Sequence, residues 1–469
     1  MIYQFIRKEL RERYHSPRYL LSSLAISVLI VLSFVIGVEN YNQARSSYET
    51  AVHQHEKTLS SYTSWLEVDH QILLPPQPLS VLVSGISQDI GRKINISDGG
   101  ELVNTDSRFG DETVFAVFRF MDLEFLFTIV LTLFAIVMAF DAVNGERERG
   151  TLQLIFAQPV SRAAFIIGKV AGMLLALIVP LLIPLSLGLL YLLFSGMPMD
   201  TEAWVKLFGV LTTGLIITAI TMMLSVGISS LVRQSSTSFM VLLGIWIFMV
   251  IILPKSSVLL AGNVVEVPNI DKILMQKSNY RTELFQQDRS KMTSFKPQGD
   301  TEDAQEILKQ YQKYLGDLAT ERSQKIKSFN RKLNEQLRNA RNLRQKISLN
   351  LTQISPVATA SLAMTTLAGT SLDLERKFMD QAQAYRTVYR QFVEEKTGQD
   401  LNSSLRFVIS GDGGDNQSIN IEELPRFQFQ PFDALNTLKA TLEKMLQLIA
   451  WFLGSFLFAW LTFIKTDIK

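Results

Sequence analysis

Residues 170–199 read VAGMLLALIVPLLIPLSLGLLYLLFSGMPM, thirty consecutive positions without a charged side chain between Lys169 and Asp200. A helix rises about 1.5 Å per residue, so about 20 apolar residues cross a ~30 Å hydrocarbon core. This run exceeds one crossing. Five further charge-free runs lie on either side of it: 19–38, 125–140, 207–232, 234–254 and 445–464. The 125–140 run is short, and Phe115, Val117, Phe118, Phe120 and Met121 are expected to complete it. One such run would also suit a buried helix of a soluble protein, but six would not. The fold class expected is therefore mainly α: a polytopic membrane protein with six transmembrane helices and a large helical extracytoplasmic domain.

Composition agrees with this. Hydrophobic residues make up 47% and charged residues only 19%, with a mean hydropathy of +0.17, on the membrane side of ordinary soluble usage. A net charge of +2 lacks the basic footprint of a nucleic-acid binder. The absence of cysteine removes disulfides, thiolate nucleophiles and cysteine-ligated metal centres together.

Orientation follows from short-loop cations. Arg7, Lys8, Arg11, Arg13 and Arg18 precede the first run, Arg147, Arg149, Arg162 and Lys169 follow the second, Arg233 separates the fourth from the fifth, and Lys465 and Lys469 end the chain. The turn 195–204 carries no Lys or Arg. Both termini are thus expected in the cytoplasm of a multi-pass protein of the cell (inner) membrane. The first run is too long for a cleaved signal peptide and should remain as an anchor. The resulting division is 1–18, an amphipathic cytoplasmic helix; spans at 19–38, 121–140, 163–194, 205–232, 234–254 and 443–465; a cytoplasmic loop at 141–162; and extracytoplasmic segments at 39–120 and 255–442.

The larger external segment reads as helical. Ile307, Tyr311, Tyr314 and Leu318, then Phe329, Leu333 and Leu337, then Leu343, Ile347, Leu351 and Ile354 recur at three-to-four spacing. Thr301-Glu302-Asp303 is expected to start this helix. A second helix over 371–396 places Phe378, Tyr385, Val388, Tyr389 and Phe392 on one side. The two stripes should bury against each other or against a partner. Between them, SPVATASLAMTTLAGTS (355–371) is unlike a solvated linker. The first segment, with Pro75-Pro76, Pro78 and SDGGE, predicts short strands and turns.

Recognisable catalytic chemistry is scarce. Gly168-Lys169 lacks the upstream glycine and following Ser/Thr of a phosphate-binding loop, and no H-E-x-x-H or G-x-S-x-G occurs. His53 and His55 could share a metal only on a strand. Gly411–Asn416 lacks calcium-loop spacing and reads as a surface turn. No metal site is expected. The nine cations of 322–346, set against Glu335 alone, read first as a solvated helix face, with anionic lipid or an acidic partner as the functional alternative. Pro180 and Pro184 should kink the third span, each removing a backbone donor. Without a charge buried mid-span, an external energy source is favoured over ion coupling.

The most informative stretch is Asn144-Gly145-Glu146-Arg147-Glu148-Arg149-Gly150-Thr151-Leu152-Gln153-Leu154, followed by Gln158-Pro159-Val160-Ser161-Arg162 and Gly168-Lys169. Alternating charges, a short apolar-rich helix and a terminating proline form a docking element. The series E-x-E-x-G-T-x-x-L, P-x-S-R and G-K resembles the cytoplasmic loop of ABC-2 type transporter permeases. IYQFIRKELRERYHSPRY before the first run is similar to their elbow helix. The nearest branch by resemblance includes the copper-maturation permease of nitrous oxide reductase; the long external segments depart from its compact members.

The resemblance implies a permease subunit, not itself an enzyme, that exports its cargo. It would bind no cofactor of its own, because ATP and Mg would sit on a separate ATP-binding subunit. Glu146, Arg147, Glu148, Arg149, Gly150, Thr151 and Arg162 would couple to that ATPase. Membrane lipids, a second permease copy or paralogue, and an extracytoplasmic partner or cargo complete the expected partners. Gly168, Gly172, Gly209, Gly214 and Gly227 would permit close helix approach in a dimer. Two alternatives stand beside transport: an ATPase-driven complex transmitting force to an envelope partner, and a membrane scaffold or sensor without an ATPase.

Overall fold

A computed structural model describes residues 2–87, 90–96, 104–105, 122–296, 304–398 and 419–465. Among them, six helices are long and apolar enough to cross a membrane: Pro17–Leu59, Leu123–Glu148, Arg162–Phe194, Thr201–Leu231, Ser235–Val264 and Ala434–Ile464. The chain is therefore mainly α and polytopic. The spans' outward faces expose Leu20, Leu24, Leu182, Ile183, Met240 and Leu453. Such rows suit lipid, while the helices satisfy their own backbone groups.

An elbow helix, Ile2–Tyr14, precedes the first span and lies across the third. Two glycines make this crossing close. A Cβ on Gly168 would lie 2.6 Å from the Phe5 Cβ, and one on Gly172 would lie 2.8 Å from the Glu9 Cβ. Gly209 meets Leu367, Gly214 meets Phe127, and Gly227 meets Phe458. All five glycines thus serve contacts within one chain, and their presence is accounted for without a second copy.

The third span stays helical through Pro180 and Pro184. Pro180 cannot donate to the carbonyl of Ala176, four residues earlier, and the Tyr19 hydroxyl of the first span donates to that carbonyl instead. A neighbouring helix thereby repairs the gap, as membrane prolines require.

The second span begins at Leu123, where the Asp122 carboxylate accepts from the Phe125 amide at 2.9 Å. Residues 115–121, expected to complete this crossing, lie outside the described residues. The span contains a π-helical stretch, Leu126–Leu131. The fifth contains another, Phe248–Ile252, and continues to Val264 instead of ending at 254.

The helix of the first span, Pro17–Leu59, has 43 residues and so extends about 65 Å. Residues 40–59, expected among strands and turns, prolong this helix beyond the bilayer. Strands follow: β1 (Gln71–Leu73), β2 (Lys93–Asn95) and β3 (Asn104–Thr105) pair antiparallel in that order, with Ile72 opposite Ile94. Ile72 and Ile94 join Leu59, Phe378, Tyr385 and Tyr389 in a core separate from that of the bundle. The cap helix Asp373–Thr397 supplies its buried aromatic residues Phe378, Tyr385 and Tyr389, whereas Val388 of the expected stripe remains exposed.

The 49-residue helix Ala304–Thr352 does not bury its stripe against the cap helix. It packs on Ile270–Thr293 and on the Leu253–Val264 end of the fifth span, with Tyr280 stacked on Phe329 at 4.0 Å. Of its stripe only Leu318 is fully buried. The expected start at Thr301-Glu302-Asp303 and the Gly411–Asn416 turn lie outside the described residues. The small-residue stretch becomes a wedge helix, Pro356–Ala368, buried against the fourth and sixth spans. Ser355 caps it, accepting from the Ala358 amide, and donates to the Met249 carbonyl at 2.8 Å. This stretch belongs with the bundle, because small side chains let its backbone approach the spans closely.

Candidate functional site

The loop after the second span folds into two short helices, Asn144–Glu148 and Thr151–Phe156. Gly150 joins them at φ +71°, a left-handed conformation that disfavours side chains, although open space surrounds its Cα. Conformation, and not room, explains this glycine.

Beneath the loop lies a cluster of buried charges. Lys169, at the foot of the third span, donates to Glu9 of the elbow at 2.8 Å and to Glu146 of the loop at 3.3 Å. Lys8 of the elbow reaches the same Glu146 oxygen at 2.8 Å, and the Thr151 hydroxyl donates to Glu146. Glu9, Glu146 and Lys169 are only 3%, 7% and 3% exposed. Burial opposes the Lys8 ammonium, but the hydrogen bond and charge of Glu146, with Glu12 and Glu9 nearby, hold it above its usual range. Glu9, Glu12 and Glu146 have the spacing of a metal site. Lys8 and Lys169 already neutralise Glu146 and Glu9 there, so the donor set suits an ion-pair network better than a cation.

The other expected coupling residues divide by direction. Glu148 accepts from the Ser235 amide at 2.7 Å and its hydroxyl at 2.9 Å, placing a carboxylate on the start of the fifth span. Arg162 donates to the Ile464 carbonyl at the end of the sixth span, where a cation complements the helix terminus. Arg149 lies 3.9 Å from Asp141 and is exposed, while Arg147 is half-buried. Leu152 is buried and Phe156 joins an aromatic cluster with Phe165 and Phe463. Leu154 is 70% exposed, because one helical turn cannot bury both Leu152 and Leu154 on the same face.

Sequence reasoning missed Asn144, Ser229 and Ser235. Fully buried Asn144 accepts from the Ser229 hydroxyl at 3.0 Å, and that oxygen accepts from the Val143 amide at 3.0 Å. These bonds bolt the loop to the turn between the fourth and fifth spans. The only local signal was a polar Asn beside an apolar run, too common to single out. His53 and His55 lie on one helix; His55 contacts His70 at 3.2 Å, and His70 contacts Tyr385 at 2.8 Å.

A six-span helical bundle with an elbow laid over the third span and a two-helix loop locked beneath the second defines a class of membrane transporter subunits. The profile of the ABC-2 family transporter proteins matches residues 3–468, and this chain belongs to that family as a transmembrane permease subunit. It is 30% identical over 130 residues to the probable ABC transporter permease protein NosY of Pseudomonas aeruginosa, covering 27% of this chain and 46% of that protein. The same protein of Stutzerimonas stutzeri matches with equal identity and coverage. The chain thus spans about half the length of the curated relatives it matches.

Proposed function

We propose that this chain is the membrane half of an exporter driven by a separate ATP-binding subunit that carries the ATP and Mg. The ATPase grips the outward face of the Thr151–Phe156 helix, with Leu154 and Arg149 as its contacts. The buried Glu146–Lys169–Glu9 cluster carries the reading, because it joins loop, third span and elbow into one rigid body. A push on the loop therefore moves the elbow and the feet of the second and third spans together. Asn144, Glu148 and Arg162 extend the same linkage to the fourth, fifth and sixth spans.

Gly150 and Thr151 form the joint between the gripped helix and the buried cluster. The basic elbow supports cytoplasmic termini in the inner membrane. Pairing with a second copy or a paralogue would complete a translocation path.

The test is co-purification with the cognate ATP-binding subunit. Leu154→Asp with Arg149→Glu should lose that subunit while the permease itself stays monodisperse. Glu146→Gln should retain the subunit but lose cargo-stimulated hydrolysis. An undisturbed complex in the first variant would overturn the docking assignment. The 49-residue external helix, about 74 Å long, favours a second reading in which the same linkage drives an envelope partner. Cargo-free hydrolysis stimulated only by such a partner would select it.

A further inference from the structure

At the end of the bundle away from the elbow, a cavity of about 1180 Å³ lies between the second span, the wedge helix, the hairpin helix Ala304–Thr352 and the sixth span. It exceeds the roughly 300–1,000 Å³ of ordinary small-molecule sites. Its apolar lining includes Phe125, Ile129, Leu349 and Leu362. The charges on the cavity divide into used and unused. Both Asp122 oxygens are occupied by backbone amides of Ser84 and Phe125 at 2.9 Å, and Asp373 pairs with Arg376 at 3.1 Å.

Glu124, Lys346 and Lys444 also line it. Among the described residues none of these three has an ion-pair partner: Glu124 accepts only the Ser361 hydroxyl, and Lys444 donates to its own helix at Ala440. Glu124 and Lys444 are half-buried, where an unpaired charge is costly and a ligand of opposite charge is correspondingly favoured.

We propose that this cavity binds an amphiphile whose headgroup carries both a phosphate and an ammonium, with its chains against the apolar lining. The two lysines recognise the anion and Glu124 the ammonium. Two unpaired cations against one unpaired carboxylate suit a phosphate, which offers several acceptor oxygens, together with a single amine. The placement of Phe125 and Ile129 beside Glu124 on the second span sets headgroup and chain sites side by side at the edge of the hydrocarbon. Binding here requires no ATPase, so its outcome is independent of the coupling reading.

The test is equilibrium lipid binding to the full chain in non-ionic detergent, read by native mass spectrometry. The probes are dioleoyl phosphatidylethanolamine, dioleoyl phosphatidylglycerol, dioleoylglycerol and water-soluble glycerophosphoethanolamine. Phosphatidylethanolamine should bind about tenfold tighter than phosphatidylglycerol, the factor that one charge-assisted contact supplies. Dioleoylglycerol and glycerophosphoethanolamine should be weaker than either.

Glu124→Gln should erase the preference between the two phospholipids. Lys346→Gln with Lys444→Gln should weaken both. Leu362→Trp, which intrudes on the apolar lining where the chains would lie, should weaken both phospholipids while elution and melting temperature report an intact fold. Equal binding of the two phospholipids, a preference surviving Glu124→Gln, or affinities unchanged by Leu362→Trp in a folded protein would overturn the proposal. Glycerophosphoethanolamine binding as tightly as the lipid would overturn the amphiphile, showing a soluble headgroup site.

Discussion

Two ion pairs at opposite ends of the molecule have nearly the same length. Lys169 lies 2.8 Å from Glu9 at the elbow, and Lys325 lies 2.7 Å from Glu321 on the hairpin helix Ala304–Thr352. Their surroundings differ completely. The elbow pair is 4% exposed at both side chains, while the hairpin pair is 44% and 50% exposed. Water solvates the hairpin charges whether or not they meet, so their pairing adds little. At the elbow each charge depends on the other, and removing one strands its partner. Distance alone therefore says nothing about which contact holds the protein together. The elbow end is built to keep one arrangement, and the hairpin end carries its charge on the outside.

The largest effect should come from Lys169→Met. Stranding Glu9 and a half-satisfied Glu146 should cost about 3–5 kcal/mol, as for other broken buried pairs, and should release the elbow to protease. Adding Glu9→Met should recover much of the loss, since an apolar pair of similar volume tolerates burial. Thermal unfolding and limited proteolysis in detergent check both. A neutral Lys169→Met would break the comparison.

A smaller effect concerns the core around Ile72, Ile94 and Phe378, which encloses a neutral imidazole instead of an ion network. Burial pushes His70 down to about 3, and the neighbouring His55 adds to this. The folded state thus refuses a proton that the unfolded chain accepts near pH 6.5. Stability conferred by the neutral ring is complete above pH 6.5 and falls as pH drops toward 3, by on the order of a few kcal/mol in total. Hydrogen-exchange protection of the 374–393 segment, corrected for intrinsic rates, should decline over that window. His70→Asn should flatten the decline, and an equal slope in the variant would remove His70 as its source. Least of all, Lys325→Ala should leave the melting temperature unchanged at low and high salt. A clear loss at low salt would mean that the hairpin charges act as a network.

The six crossings were legible because each needs only a long apolar run, and no distant contact is required to recognise one. The loop motif was legible for the same local reason: alternating charge, Gly150 and Pro159 report their own backbone constraints. Its facing was not. Glu146 and Glu148 are two residues apart, yet one is buried under the elbow and the other caps the fifth span. That outcome depends on where residues 2–14 and 235 arrive in space. The glycines show the same limit. Spacing announced close helix approach but could not say that the approaching side chains were Phe5, Glu9, Phe127 and Phe458 of the same chain.

The two helical stripes of 307–354 and 378–392 do not meet each other, for a related cause. Three-to-four spacing defines a face, and several faces compete for it. The first helix continued past residue 39 because nothing in residues 40–59 breaks a helix, a signal that proximity to the Pro- and Gly-rich stretch obscured. By itself the sequence determined the number of spans, the helical class and the existence of a short two-helix loop after the second span, all properties of backbone propensity and hydropathy over short range. Tertiary structure alone decided which charges are buried and paired, which glycines meet which rings, and where unpaired charges share a cavity. Those are set by side chains distant in sequence, and the desolvation that gives them their strength exists only once the helices have packed.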